Sequence, residues 1–263
     1  MVTPAMRSII ASAILLLSSN LYAVPPIYTL QTGLGGTDIG NDTDSYYYLT
    51  GSILISKGLS RNGIVDLQAE ISSYDYADND DLSGEELFLQ AIYSYTPRAG
   101  FRVPTYSFGL RHLEEYLSDD EMDASTTTLI LSMSYRLNDR SSLRGGVKAG
   151  ERDSDDDSDA TSYFINFDYR YNPEWLLYTN LGAGDGAFTA RSYCSGAYGS
   201  SYGSNWNWNT SADDCDNTYL TLGASYVINA LNSLDMSVNR YEYDTPSGNI
   251  TGNVYSVDFF HRF

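Results

Sequence analysis

Residues 253–263, at the carboxyl end of the chain, read N-V-Y-S-V-D-F-F-H-R-F. Every second residue of this stretch is large or apolar: Tyr255, Val257, Phe259, His261 and Phe263. The residues between them include Ser256, Asp258 and Arg262. Because successive side chains of a β-strand point to opposite faces, this period of two predicts a strand with one apolar and one polar face.

The same alternation recurs along the chain, and it is clearest at residues 87–95, 129–137, 163–171 and 220–228. Together with the turn-forming residues between the runs, it predicts an all-β chain of about twelve strands. We place these strands at residues 27–35, 46–58, 64–76, 86–96, 101–114, 126–137, 142–150, 161–171, 175–187, 217–228, 233–243 and 252–263. Pro104, near the start of the fifth strand, is expected at a strand end or a bulge.

Short and long connections take turns between the predicted strands. The short ones carry Asn-Gly, Asn-Pro or similar turn sequences, at residues 60–63, 97–99, 138–141, 172–174 and 229–232. The long ones are acidic or glycine-rich, at residues 36–44, 77–84, 117–124, 151–160, 186–216 and 245–251. Short turns at one end and long loops at the other are typical of membrane-spanning β-barrels.

The amino terminus has the pattern of an export signal. Arg7 precedes an apolar run at residues 9–17, and small and polar residues lead from there to Ala23. A basic start, a short apolar core and a small residue before the cut predict a signal peptide over residues 1–23, cleaved after Ala23. The run is shorter than the roughly 18 residues that a membrane-spanning helix needs. Residues 24–263 are then expected to form one β-domain.

Composition excludes several classes of protein. A hydrophobic content of 42% with a mean hydropathy of −0.30 does not fit a helical membrane protein. It fits a barrel in which lipid-facing and inward-facing residues alternate. The net charge of −19 has the wrong sign for a nucleic-acid binder, and the sequence has no phosphate-binding loop or zinc-ligand spacing. The 24 tyrosines suit the aromatic girdles that barrels carry at the membrane surface.

The terminal strand resembles the closing strand of Gram-negative outer-membrane β-barrel proteins. These typically end in Phe, with aromatic or apolar residues at alternate positions before it; His261 departs from the Tyr that is commoner there. The resemblance implies a transmembrane antiparallel up-and-down barrel in the outer membrane, with periplasmic termini and lipids and lipopolysaccharide as surroundings. It also implies that Tyr255, Val257, Phe259 and Phe263 form the signal read by the barrel-assembly machinery.

Extending the alternation to the inner face gives a polar set of mixed charge. The candidate lumen-lining charges are Asp66, Glu70, Arg111, Arg136, Arg144, Lys148, Asp168, Arg170, Asp235, Asp258 and Arg262. Opposite charges in a partly dry lumen are expected to pair. We expect Asp66 or Glu70 to pair with Arg144 or Lys148, and Asp168 or Asp258 with Arg136 or Arg170.

Two readings of this inner face stay open. In one, the charges line a narrow passive channel for small solutes, since twelve strands leave room for a narrow pore. In the other, they bridge and seal the interior, and the protein is a structural or surface-interaction barrel. Acidic runs at residues 78–81, 119–123 and 153–159 predict a cation preference at the channel mouth. Clustered carboxylates suit divalent cations such as calcium, but none of these runs has EF-hand spacing. The alternative, which we expect, is a solvated surface with no resident metal or cofactor.

The long connection at residues 186–216 contains both cysteines, Cys194 and Cys215, which are expected to form a disulfide at its base. Its glycine, serine, asparagine and aromatic residues suit a constriction over the mouth, an adhesive or receptor surface, or a plain flexible loop. The sequence does not choose among these three.

Catalysis would need a nucleophile beside a histidine base, and the chain has two histidines, His112 and His261. The outer-membrane phospholipase and lipid A deacylase families place a Ser two residues after the His, where this chain has Glu114. The outer-membrane Asp–His proteases place an Asp two residues before it, where this chain has Leu110. We therefore predict that the protein is not an enzyme. A barrel lipid hydrolase or protease would instead require a hydroxyl from a neighbouring strand within reach of His112.

Overall fold

A computed structural model describes residues 25–39, 45–77, 83–98, 102–118, 123–153, 158–186, 216–245 and 248–263. They form twelve β-strands: β1 (Ile27–Ile39), β2 (Tyr46–Gly58), β3 (Gly63–Tyr76), β4 (Gly84–Tyr95), β5 (Thr105–Leu117), β6 (Ala124–Arg136), β7 (Ser141–Asp153), β8 (Ser158–Arg170), β9 (Trp175–Asp185), β10 (Asp216–Val227), β11 (Asn232–Thr245) and β12 (Gly248–Arg262). The described residues contain no helix long and apolar enough to cross a membrane.

Each strand pairs antiparallel with its neighbours in the chain, and β1 pairs with β12, so the sheet closes into a barrel. Gln31 lies opposite Ser52 of β2 on one side and Phe260 of β12 on the other, which defines the register of β1 with both of its neighbours. The predicted fold of about twelve antiparallel strands in an up-and-down barrel is confirmed.

The two faces of the barrel wall differ as the alternation predicts. Outward-facing side chains are mainly apolar and well exposed, among them Leu34, Leu49, Ile71, Tyr163, Ile165, Leu181, Leu222 and Tyr255. A water-soluble protein rarely exposes an apolar surface that encircles it. An outward apolar band is what the hydrocarbon core of a membrane requires of a barrel.

The connections divide the barrel into two ends. The turn end holds Ile27, Arg262 and the connections at residues 59–62, 96–104, 137–140, 171–174 and 228–231. The loop end holds the connections at residues 40–45, 77–83, 118–123, 154–157, 186–215 and 246–247. The predicted disulfide, signal peptide and much of the acidic runs lie outside the described residues.

The predicted alternation of short and long connections is only partly right. β7 extends to Asp153 and β8 begins at Ser158, so the loop predicted at residues 151–160 is mostly strand. The connection between β11 and β12, predicted at residues 245–251, is shortened to residues 246–247. The connection between β4 and β5, predicted at residues 97–99, is longer and covers residues 96–104. Asp and Glu are depleted in strands, so sequence patterns end a strand at an acidic residue. Above the apolar band both faces of the wall meet water, and strand pairing continues through acidic residues.

Candidate functional site: the barrel lumen

The inner face of the wall carries all of the charged residues predicted to line the lumen. The strand register places Asp66 opposite Ser56, Glu70 opposite Ser52, and Arg144 opposite Ser134 and Asn166. Lys148 lies opposite Ser162, and Asp235 lies opposite both Ser225 and Asp258. Arg136, Arg170 and Arg262 are on the same face at the turn end, where their side chains are exposed.

Two carboxylates form a directly opposed pair on β11 and β12. Asp235 accepts hydrogen bonds from Tyr178 Oη at 2.6 Å and from Ser225 Oγ. Asp258 accepts one from Gln31 Nε2 at 3.1 Å. Neutral donors therefore hold both carboxylates against the wall, and neither has an ion pair within the described part of the chain.

A second acidic group lies on β3, β4 and β5. Gln68 Nε2 donates to Glu70 Oε2 at 3.1 Å, and Ser72 Oγ donates to Glu70 Oε1 at 3.4 Å. Glu70, Glu86 and Glu115 all lie close enough to Arg111 to attract its guanidinium electrostatically. The guanidinium also lies 4.8 Å from the centroid of the Phe88 ring.

The predicted pairing of these charges is wrong. In the described ranges, Asp66 and Glu70 form no ion pair with Arg144 or Lys148, and Asp168 accepts from Ser142 Oγ at 2.9 Å. Four strand spacings, about 19 Å along the wall, separate β3 from β7, so these side chains do not meet. Arg136 pairs instead with Asp139 in its own turn, at 4.0 Å. The charges are satisfied mainly by neighbours on adjacent strands.

The lumen tyrosines lie flat on the wall rather than across the lumen. A Cβ atom added to Gly223 would overlap the ring of Tyr178, and one added to Gly182 would overlap the ring of Tyr219. Gly35 and Gly252 are covered in the same way by Tyr48 and Tyr241. Glycines on the neighbouring strand thus let bulky rings pack against the wall. The sequence shows the glycines and the tyrosines, but only the register shows that they meet.

Charge is unequal between the two ends. The exposed acidic residues at the loop end are Asp75, Glu85, Asp123, Glu151, Asp153, Asp159, Asp185, Asp216, Glu242 and Asp244. The exposed basic residues at the turn end are Arg61, Arg98, Arg102, Arg136, Arg140, Arg170 and Arg262. Asp139 and Glu174 offset part of the positive charge at the turn end. The barrel therefore has one acidic and one mainly basic rim.

His112 faces outward, on the same face as Phe108 and Leu110 and above the apolar band. Its Nδ1 lies 3.0 Å from Thr127 Oγ1, and its Nε2 lies 3.3 Å from Glu114 Oε1. Tyr116 Oη donates to Glu114 Oε2 at 2.6 Å. A hydroxyl on a neighbouring strand thus lies within reach of His112, as a hydrolase would require. The hydroxyl belongs to a threonine, whose added methyl group hinders attack, and the surrounding strand amides are engaged in the sheet rather than aimed at an oxyanion.

An apolar groove of about 660 Å³ lies on the outward face, lined among others by Tyr93, Tyr106, Met133, Gly145 and Tyr163. It forms where Gly145 leaves open space between larger neighbours. The groove is separate from the lumen and belongs to the apolar band.

A closed wall with an apolar outside and a polar inside defines the outer-membrane class of β-barrels. The folds of several outer-membrane proteins match this one. An outer membrane channel from Pseudomonas putida F1 matches with a TM-score of 0.64 at 13% identity, over 93% of this chain and 98% of that one. The KdgM porin in complex with disordered oligogalacturonate has a TM-score of 0.52 at 10% identity, over 89% of this chain and 99% of the porin. The NanC porin has a TM-score of 0.52 at 10% identity, over 88% of this chain and 98% of the porin.

No family model and no curated protein matches the sequence. At these identities the matches establish the fold: a twelve-stranded closed barrel of the kind found in outer-membrane channels and porins.

Proposed function

We propose that the protein is a narrow passive channel for small solutes in the outer membrane of a Gram-negative bacterium. The observation that carries the proposal is the inner face, where polar and charged groups line the wall and tyrosine rings lie on glycines instead of crossing the lumen. The similar structures are described as channels and porins, which agrees with this function. In this arrangement the loop end faces outward from the cell and the turn end, with both termini, faces the periplasm.

The unequal rims support a preference for cations. A solute that enters from outside first meets the exposed carboxylates of the loop end, and the whole chain has a net charge of −19. A negative mouth raises the local concentration of cations and lowers that of anions. The basic rim then lies at the exit into the periplasm, so the current is expected to be unequal for the two directions of voltage.

Export and assembly complete the proposal. Residues 1–23 would be removed as a signal peptide, and Cys194 and Cys215 would be oxidised to a disulfide in the periplasm. The terminal strand, with Tyr255, Val257, Phe259 and Phe263, would be recognised by the barrel-assembly machinery. The outward apolar band would contact lipids, and the acidic rim would lie at the level of lipopolysaccharide.

A non-conducting structural or surface-interaction barrel is the alternative, and one observation favours it. On the wall from β5 to β8, Leu113, Ile130 and Phe164 face inward and are only 2%, 6% and 6% exposed, so this side of the lumen is filled. Side chains packed in this way on one wall narrow the lumen.

Single-channel recording decides between the two. The refolded, disulfide-intact barrel is inserted in a planar bilayer, with heat-modifiable migration on a gel as the check of folding. Steady conductance with a cation-selective reversal potential supports the channel. A correctly folded barrel that remains silent refutes it and favours the structural or surface role.

Catalysis is not part of the proposal. The Thr127–His112–Glu114 group lacks a serine or cysteine nucleophile, and Tyr116 shares Glu114. Its contacts satisfy a histidine and a carboxylate that would otherwise be buried without partners near the membrane surface.

A further inference from the structure

Three cations lie close together on one side of the lumen. Arg111 comes from β5, and Arg144 and Lys148 come from β7, all on the inner face. Lys148 Nζ lies 5.4 Å from the ring centroid of Phe164, and the Arg144 guanidinium lies 5.8 Å from the same centroid. Both arginines are close enough to Lys148 to repel it electrostatically.

These cations differ in how their charge is balanced. Arg111 has Glu70, Glu86 and Glu115 nearby. Arg144 donates from Nε to Ser132 Oγ at 3.1 Å, which leaves its terminal nitrogens available, and Asp168 on β8 lies close enough to attract its guanidinium. Lys148 contacts the Phe164 ring, and within the described ranges its Nζ has neither a hydrogen-bond acceptor nor an ion-pair partner.

The carboxylates of the facing wall do not balance the charge of Lys148. In a ring of twelve strands, β11 and β12 lie across the barrel from β5 and β6. Asp235 and Asp258, on β11 and β12, are held by Tyr178, Ser225 and Gln31 on their own side. Like charges in a partly dry lumen destabilise one another unless an opposite charge lies between them. Lys148 is therefore the one of these three cations that has no carboxylate close by in the described part of the chain.

We propose that Lys148 and Arg144, beside the ring of Phe164, bind the carboxylate of a small organic anion on its way through the lumen. This inference rests on the proposed function, since it treats the lumen as the path of the solute. It concerns an organic solute inside the lumen, whereas the cation preference concerns the small ions that the acidic rim concentrates at the mouth. A guanidinium and an ammonium side by side suit a carboxylate, which accepts from both. Phe164 lies beside both cations but is only 6% exposed, so the contact with the solute is through the solute's carboxylate and not through its hydrocarbon part.

The surrounding charges favour a single negative charge on the solute. Glu70, Glu86 and Glu115 stand beside Arg111, and the Asp235–Asp258 pair stands on the facing wall. A second anionic group would approach one of these carboxylates and be repelled. Binding is expected to be weak, because a solute that is to pass must also leave.

The chain has two lysines, Lys57 and Lys148, and this makes a direct test possible. Reductive methylation with ¹³C-formaldehyde places NMR-visible methyl groups on both lysines and on the amino terminus while keeping their charge. The folded, methylated barrel in detergent micelles is titrated with propionate and, separately, with neutral propionamide. Lys148→Met identifies the Lys148 signal by its loss. Lys57, on the outward face at the turn end, is the internal control.

Propionate is expected to shift the Lys148 signal saturably and to leave the Lys57 signal in place, whereas propionamide shifts neither. Arg144→Met should weaken the apparent affinity about tenfold, as the loss of one charge-assisted contact predicts. Arg240→Met, on the outward face, should not change it. Absence of a saturable Lys148 shift, or an equal shift with propionamide, would overturn the proposal.

This titration needs a folded barrel and not a conducting one. A silent barrel that binds propionate refutes the channel and leaves the carboxylate site standing. A conducting barrel without the Lys148 shift refutes the site and leaves the channel standing.

Discussion

Asp235 and Asp258 lie directly across from each other on β11 and β12, with both carboxylates on the inner face. They are close enough for each charge to oppose the other, yet they are held very differently. Asp235 accepts from two hydroxyls, whereas Asp258 accepts from the Gln31 amide and has the Ser256 hydroxyl close by. The two positions therefore make a matched pair for testing how the lumen wall is stabilised.

We expect Asp235→Asn to lower the free energy of unfolding by about 1–3 kcal/mol, because the amide cannot accept from both Tyr178 and Ser225 as the carboxylate does. Asp258→Asn keeps an oxygen for Gln31 and removes the repulsion, so it should leave stability unchanged or raise it by up to about 1 kcal/mol. Urea unfolding in lipid vesicles, followed by tryptophan fluorescence, measures both. A larger loss of unfolding free energy for Asp258→Asn than for Asp235→Asn would contradict this account.

Gly223→Ala should destabilise the barrel by about 1–3 kcal/mol, because the new methyl group would displace the Tyr178 ring and with it the hydrogen bond to Asp235. Gly51→Ala is the control, since a Cβ atom there meets nothing within 4 Å. The control should be neutral or slightly stabilising. The urea midpoints of unfolding of the two variants, compared where the dependence of the unfolding free energy on urea concentration is the same, test whether the glycine–tyrosine packing stabilises the barrel.

Neutralising the acidic rim should reduce cation preference. For the double change Asp153→Asn and Asp185→Asn, we expect the cation-to-anion permeability ratio to fall roughly twofold at 0.1 M salt, where charges act over about 10 Å. The control, Asp139→Asn with Glu174→Gln, changes the turn end and should not lower the ratio as much. Reversal potentials under a salt gradient give the ratio. At 1 M salt the difference between variants should vanish.

The outward His112 group should be structural. Thr127→Val removes the oxygen that lies 3.0 Å from His112 Nδ1 and is expected to cost about 1 kcal/mol of stability. Thr32→Val, also on the outward face and without a side-chain hydrogen bond in the described part of the chain, should cost less. Neither the parent nor the variant should release fatty acid from phospholipid or lipopolysaccharide vesicles. Release that depends on both Thr127 and His112 would show that the protein is an enzyme.

Phe263→Ala should separate assembly from stability. The Phe263 side chain is 66% exposed, while its backbone N–H donates to the Tyr28 carbonyl at 3.0 Å, a bond that the substitution keeps. Stability after refolding in detergent should therefore change little. Insertion in cells, measured as heat-modifiable protein in outer-membrane fractions, should fall sharply if this residue is part of the assembly signal. An equal loss in both experiments would point to a structural role instead.

The sequence was sufficient to predict the barrel and its inward face, because a period of two depends only on the backbone and needs no knowledge of neighbours. The pairing of the charges was not predictable in this way. Glu70 was expected beside Arg144 or Lys148. It lies near Arg111 because the order of the strands, and not charge, decides which side chains come close: β5 is two strands from β3, and β7 is four. The strand ends at Asp153 and Ser158 were missed since acidic residues signal loops in most proteins. The Arg144–Lys148–Phe164 arrangement required the register of β7 and β8, which places Phe164 opposite Gly146, between the two cations.

The pairing of β1 with β12 joins residues that are more than two hundred positions apart, as the Gln31–Asp258 hydrogen bond illustrates. Until the last strand arrives, both β1 and the growing end of the sheet present unpaired backbone groups, which attract other chains. Closure of the barrel therefore requires β12, and slow folding is expected from contacts so distant in sequence. A truncation at either end opens the same seam between β1 and β12.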